Sequence, residues 1–217
     1  MNIFKQLLEL IYPAFCQICD LKLNSEEEYL CHKCLYPIRI SPSPFYPKSY
    51  KYLQEVWSWA IYENIMKKCI HLVKYKQKDY IFNLFKKPLI EFFERNSIMK
   101  NVDIITFVPL YSSKLRERTF NQAEIIAKVP ASYYEIPLRN LLQKTIKTLP
   151  QHNFDKYKRI ENVKGSFTVE DKEIIRKRKI LIVDDILTTG ATINECSKVL
   201  LEAGAKKVYG FTLLRGG

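Results

Sequence analysis

Apolar residues recur along the chain with two periods, and the switch between them marks alternating strands and helices. Met1 to Phe15 is apolar but broken by Lys5, Gln6 and Glu9, the pattern of a short amphipathic helix. Val56 to Tyr62 reads as a strand, and Ile61, Ile65, Cys69, Leu72 and Val73 then fall on one helical face. A second helical stretch covers Asp79 to Arg95, where Pro88 either kinks the helix or starts a new one. The β-branched run Val102–Val108 predicts a buried strand closed by Pro109, followed by a polar, basic segment over 111–118. Asn121 to Lys128 predicts a helix and Tyr133 to Leu138 the next strand. Residues 139–164 have little periodicity, with seven basic side chains against Asp155 and Glu161; such a long segment without clear elements is functional or mobile. Ile180 to Val183 predicts a central strand. Ile193, Cys196, Val199, Leu200 and Ala203 follow at helical spacing, Gly204 is a C-terminal stop, and Val208 to Leu214 is a last strand. Strand–helix–strand with short joins means a parallel sheet, hence an α/β fold.

The sequence from Ser41 to Tyr50 interrupts this pattern. Three prolines in ten residues prevent a helix or a central strand, so it reads as a linker. The expected organisation is a module over 1–40, a linker over 41–50 and an α/β domain over 51–217, in a chain of 217 residues. No apolar window is long enough for a membrane helix, and the N-terminus lacks the three-part pattern of a signal peptide, which leads to the expectation of a cytoplasmic protein. The formal charge is +12. Residues 1–40 hold four basic and five acidic side chains, so the remainder carries +13. A surplus of that size implies polyanionic partners or a solvated lysine-rich surface, and says nothing about fold.

Two pairs of cysteines, Cys16-x2-Cys19 and Cys31-x2-Cys34, stand 11 residues apart in the N-terminal module. Each pair sets two thiolates on one tight turn, and two such turns complete a tetrahedron around one ion. Four protein ligands leave no open position, so the ion is expected to be structural zinc, with an iron–sulfur centre as the alternative. His32 is expected to be exposed, and Cys69 and Cys196 to be core.

The second concentration of chemistry is Lys179 to Thr192, KILIVDDILTTGAT. An apolar strand brings the chain to the carboxyl edge of a sheet, where open α/β folds bind ligands. Where that strand ends, Asp184 and Asp185 can grip the vicinal hydroxyls of a ribose or organise Mg²⁺ waters. Thr188, Thr189, Gly190, Ala191 and Thr192 then turn into a helix, offering backbone N–H groups, hydroxyl donors and a helix N-terminus to a phosphate. It is not a nucleotide P-loop, because there is no Gly-x4-Gly-Lys and acidic residues precede the glycine. The plainer alternative is an ordinary capped helix after a strand.

This motif resembles the phosphoribosyl pyrophosphate (PRPP) signature of type I phosphoribosyltransferases. More of the chain resembles the ComF family. The cysteine pairs, Val108-Pro109-Leu110, Arg116-Glu117-Arg118-Thr119-Phe120-Asn121-Gln122, Thr148-Leu149-Pro150-Gln151, Arg159-Ile160-Glu161-Asn162-Val163 and Gly165-Ser166-Phe167 precede the PRPP loop in that order. The resemblance implies a phosphoribosyltransferase-like parallel sheet with flanking helices behind a small zinc module. It implies PRPP with Mg²⁺ at Asp184, Asp185 and residues 188–192. Lys114, Arg116 and Arg118 would lie in a pyrophosphate loop, and Lys144, Gln151, Arg159 and Asn162 in a lid or nucleic-acid contact. Two departures stand out: Thr119 replaces a common glycine, and Lys144 replaces a common arginine.

No convincing general base or nucleophile is present, and His71 and His152 are isolated. Two functions follow. One is a phosphoribosyltransferase on an unidentified base, amine or nucleic acid. The other is a natural-competence factor that holds PRPP, binds single-stranded DNA through basic clusters at 67–78, 139–164 and 172–179, and meets competence or recombination proteins. The residues leave catalysis itself open. An amidophosphoribosyl-type enzyme is the weakest reading, since Met1-Asn2 provides no N-terminal glutaminase cysteine.

Overall fold

Six strands occur among the described residues of the computed structural model, which are 13–41, 44, 51–146 and 161–216. They are β1 (Val56–Ile61), β2 (Ile104–Phe107), β3 (Leu142–Lys144), β4 (Phe167–Val169), β5 (Lys179–Leu187) and β6 (Lys207–Arg215). The main sheet has the order β1-β6-β5-β2 and is parallel throughout. Strands β3 and β4 form a separate antiparallel pair. Among the described residues the α-helices are α1 (His32–Leu35), α2 (Asn64–Lys76), α3 (Lys86–Asn96), α4 (Ser112–Arg118), α5 (Gln122–Tyr133), α6 (Lys172–Ile175) and α7 (Ala191–Glu202).

Successive residues of a strand point to opposite faces, and a parallel sheet is covered on both. Leu181 and Val183 of β5 therefore join Trp57, Trp59, Phe211 and Leu213 under α2, α3 and α5. Ile180 and Ile182 join Val56, Ile104 and Val208 under α7 and the β3–β4 pair. Within the sheet, Ser58 Oγ and Thr212 Oγ1 lie 2.7 Å apart, so two buried hydroxyls satisfy each other. Gly210 has a packing reason: a Cβ there would meet Ile193 Cδ1 of α7 at 3.0 Å.

The cysteine-bearing segment packs onto this body. Leu23, Leu30 and Cys31 belong to the same apolar cluster as Trp59. The rings of Tyr29 and Tyr80 lie 4.6 Å apart. The N–H groups of Ser41 and Ile61 donate to Trp59 and Arg39 carbonyls at 2.8 and 2.9 Å, which covers the edge of β1.

Three expectations change, and an open alternative resolves: Pro88 marks a new helix start. The stretch over 79–95 is a 3-10 turn, Asp79–Phe85, followed by α3, with Pro88 in the first turn where its missing N–H costs nothing. The polar segment is helical over Ser112–Arg118 rather than a loop. Helix α5 continues past Lys128, through Pro130, to Tyr133. The strand expected over 133–138 is consequently absent. Its start is helix, Glu135 takes a left-handed φ of 54°, and only Leu138 forms a bridge, to Ile105. The amphipathic helix expected at 1–15 and the linker lie largely outside the described residues. No helix among those described is long and apolar enough to cross a membrane.

Candidate functional site

The carboxyl ends of the central strands open onto a cleft of about 510 Å³. Asp184, Asp185 and residues 188–192 form one wall; Lys114, Arg118 and Lys144 reach it from α4 and β3. Tyr62, Lys74 and Tyr75 close the side formed by the end of β1 and by α2. Three elements far apart in sequence thus bring cations to one loop of small residues and one acidic pair.

The acidic pair lies inside β5, not past its end. The strand runs to Leu187, with Ile186 and Leu187 still paired to Leu214 and Arg215. Gly190 then adopts φ 72°, a left-handed conformation that glycine takes at no steric cost, and α7 starts at Ala191. Thr189 Oγ1 accepts from the Ala191 N–H at 3.4 Å. The first turn of α7, with the positive end of the helix dipole, lines the cleft.

The two carboxyl groups have different surroundings. Asp184 Oδ1 accepts the N–H of Asp185 at 2.8 Å. Burial, then the charge of Asp185, pushes Asp184 up to about 8. Burial pushes Asp185 the same way, but the ammonium of Lys74, which pairs with its Oδ2, more than offsets this, and Arg118 adds to the effect, so Asp185 stays below the usual carboxylate range. Burial, and the nearby Lys114, lower Lys144, whose Nζ sits 5.3 Å from the centroid of the Phe167 ring.

On the opposite flank, Arg118 Nη1 donates to Gln122 Oε1 at 3.2 Å. Asn121 caps α5 through the Ala123 N–H at 3.0 Å and donates to the Val108 carbonyl at 2.9 Å. Thr119, between them, closes α4 with φ 66°.

Of the residues singled out in the sequence, Lys114, Arg118, Lys144, Asp184, Asp185 and 188–192 share the cleft. Arg116 is exposed on α4 and does not line it, and neither does Asn162. Gln151 and Arg159 lie outside the described residues, as does His152. Sequence reasoning put Lys74 and Tyr75 only in a basic cluster over 67–78 and Tyr62 only on a strand, and assigned none of them to the cleft. Their helical period reads only as core and surface, and no local motif announces them.

The four cysteines form a second constellation. Cys16 and Cys19 sit on a turn closed by a Phe15–Lys22 bridge, while Cys31 and Cys34 begin α1. All four Sγ atoms lie within 4.8 Å of one another. The Cys16–Cys34 and Cys19–Cys31 sulfurs are 3.8 and 3.6 Å apart. A tetrahedral zinc with bonds of about 2.3 Å spaces its thiolates about 3.8 Å apart, and a disulfide needs about 2.05 Å. Burial pushes Cys16 up, but backbone N–H groups of Cys31, Ile18 and Cys19 bring it down to about 7, while burial and the neighbouring thiols push Cys34 up; with no ion bound, one thiolate is favoured in the cluster and a metal would have to draw off the other protons. His32 stays outside the cluster, exposed, with Nδ1 2.9 Å from Glu27 Oε1.

The phosphoribosyl transferase domain family matches residues 139–217. The chain is 26% identical over 218 residues to DNA utilization protein YhgH of Escherichia coli, covering 96% of this chain and 93% of that protein. It is 25% identical over 243 residues to competence protein ComFC of Bacillus subtilis, covering 94% and 96%. It is 31% identical over 124 residues to competence protein F of Haemophilus influenzae, covering 56% of this chain and about half (54%) of that relative's length. The chain therefore has homologues named for competence and DNA utilization, as its motifs indicated. Its fold is a phosphoribosyltransferase-like parallel sheet with flanking helices and a four-cysteine cluster near the N-terminus.

Proposed function

We propose that the cleft binds PRPP with Mg²⁺, and that the chain serves natural competence as a PRPP-holding protein that handles single-stranded DNA on the cytoplasmic side. The observation that carries the ligand is the meeting, in one cleft, of the acidic pair, the loop 188–192 and three cations from other elements. The 5′-phosphate would sit on the Thr188–Thr192 N–H groups and hydroxyls at the start of α7. Asp184 and Asp185 would grip the ribose hydroxyls, and Lys114, Arg118 and Lys144 the pyrophosphate. Bound Mg²⁺ would supply further neutralisation of pyrophosphate charge. If transfer occurs, the same residues are the catalytic ones, since a ribose centre that develops positive charge needs carboxylates beneath it and cations on its leaving group. A phosphoribosyltransferase with no direct DNA role is the alternative.

The test is thermal denaturation with PRPP and Mg²⁺. The wild type gains stability by binding, and Asp184→Asn/Asp185→Asn does not. An unshifted wild type ends the ligand assignment.

The DNA reading has its own observation. Along the exposed face of α2, Lys67, His71 and Tyr75 recur every four residues and lead into the cleft. The His71 and Tyr75 rings are 4.9 Å apart, Lys67 Nζ lies 5.6 Å from the Tyr62 ring, and Tyr75 is 53% exposed. Aromatic faces between cations suit the bases and phosphates of a single strand. Binding to an oligonucleotide should weaken steeply with salt and weaken further in Tyr75→Ala; salt-insensitive or absent binding removes this reading.

Residues 1–40 are then a module closed by structural zinc at Cys16, Cys19, Cys31 and Cys34. Residues 41–50 are its linker, and 51–217 the PRPP-binding domain. Arg116, outside the cleft, and Gln151, Arg159 and Asn162 remain candidates for nucleic-acid or lid contacts.

A further inference from the structure

Lys74 lines the cleft, and the PRPP reading gives it no task. It is carried by α2, and its ammonium pairs with Asp185 Oδ2 with both side chains largely buried, at 16% and 17% exposure. Asp184 is anchored differently, by the N–H of the next residue on its own strand. Two adjacent carboxyl groups are thus held by unlike partners, one by backbone and one by a cation from the opposite wall. A vicinal diol presents hydroxyls that both donate and accept, so a pair made of one fixed acceptor and one potential donor matches it better than two equivalent anions.

Resting on the PRPP reading, we infer that Lys74 is a positioning residue that holds Asp185 in one rotamer, as the acceptor of the pair, against the ribose hydroxyls. The electrostatics of the cleft agree. Lys74 is the main influence keeping Asp185 low against its burial, with Arg118 of α4 adding to it. Asp184, raised by burial and by Asp185, is the member able to keep a proton. The other titratable groups that act on the pair are Lys144 from β3 and Cys196 from α7, both through Asp184.

The experiment compares wild type, Lys74→Met and Lys74→Arg in PRPP·Mg²⁺ binding by calorimetry between about pH 5 and pH 8, where a carboxylate released from its cation titrates. Lys74→Met should bind about tenfold or more weakly near neutrality and show a steeper rise in affinity with pH than the wild type, where Asp184 but not Asp185 titrates over this range. Lys74→Arg should recover much of the affinity with the wild-type pH profile. If Lys74→Met does not fold, Lys74→Gln, which retains a hydrogen bond to Asp185 and drops the charge, makes the same comparison. Equal or tighter binding by the neutral variant with an unchanged pH profile overturns the inference, because Lys74 would then be a bystander or a competitor of the ligand. A wild type that fails to bind PRPP overturns the ligand reading first and this inference with it, a failure visible before any variant is made.

Discussion

Asn121 Nδ2 donates to the carbonyl of Val108 at 2.9 Å, and the same side chain caps α5 by accepting from Ala123. One amide therefore ties the end of β2 to the start of α5, and everything between them, including Lys114 and Arg118, hangs from that tie. Asn121→Ala removes a cap worth about 1 kcal/mol and orphans a buried carbonyl at about 1–3 kcal/mol. The expected result is a fall in melting temperature of roughly 4–16 °C, at about 2–4 °C per kcal/mol for a chain of this size, with weaker PRPP binding. A normal melting temperature with normal binding would show that the tie positions nothing.

Thr119 closes α4 with φ 66°. A β-branched residue in that region costs about 1–2 kcal/mol relative to its preferred backbone. Thr119→Gly relieves this and gives back part of it as chain entropy. The variant should be about 1 kcal/mol more stable to denaturant, with α4 and PRPP binding intact. A destabilised variant would mean that the Thr119 hydroxyl, which bonds the Arg118 carbonyl at 2.6 Å, outweighs the strain.

The acidic pair makes stability depend on pH in opposite senses. Asp184 is raised to about 8 in the fold and titrates near 3.9 when unfolded. Its contribution is complete below the unfolded value and is lost as pH rises through the folded one. Asp185 is lowered, so its contribution holds at high pH and is lost only in acid, as pH falls through its folded value. Above about pH 4 the slope therefore belongs to Asp184. Asp184→Asn should gain on the wild type as pH rises from 5 to 9, by a few degrees in melting temperature, while losing PRPP. Asp185→Asn should lose stability throughout, because it leaves the largely buried Lys74 without its partner. Parallel curves for wild type and Asp184→Asn would refute the assignment.

Zinc removal tests the N-terminal module. With the four sulfurs gathered and the segment packed against β1 and Tyr80, metal loss should free the thiols and uncover that edge. A chelator, or Cys31→Ser, should lower the melting temperature by roughly 5 °C or more, and metal analysis of the wild type should find about one zinc per chain. Iron in its place, with visible absorption, would favour the alternative centre.

Much of this was legible in the chain because the informative signals are local. Strand β5, the loop 188–192 and the cysteine pairs are contiguous patterns whose period and residue types carry their own geometry. The failures have a common physical cause. The strand expected at Tyr133 disappeared because α5 is held by tertiary packing of Ile126 and Ala127 on the sheet, which no local propensity encodes. Helix α4 was hidden because its polar face has no buried partner to give a period. Lys74 was invisible because its meaning depends on Asp185, more than a hundred residues away in sequence. Chemistry written in one segment can be read directly, whereas chemistry assembled across segments needs the fold.

Gln122 offers the last test, and it comes from such an assembly. The residue is 1% exposed and lines the cleft. Its Oε1 is occupied by Arg118, which fixes the amide orientation, and its Nε2 has no hydrogen-bond partner among the described residues. An unsatisfied buried donor costs about 1–3 kcal/mol, so such a group is kept where a ligand supplies the acceptor. The pyrophosphate oxygens expected beside Arg118 are acceptors of the right kind. Gln122→Met, similar in size and without polar hydrogens, should leave the unliganded melting temperature nearly unchanged, because the lost Arg118 contact is offset by removal of the orphan donor. It should bind PRPP several-fold more weakly. Gln122→Glu should bind more weakly still, since it sets a carboxylate against the pyrophosphate. If Gln122→Met instead unfolds the protein while PRPP still protects what remains as well as it protects the wild type, the amide is a structural strut and the donor has its partner elsewhere.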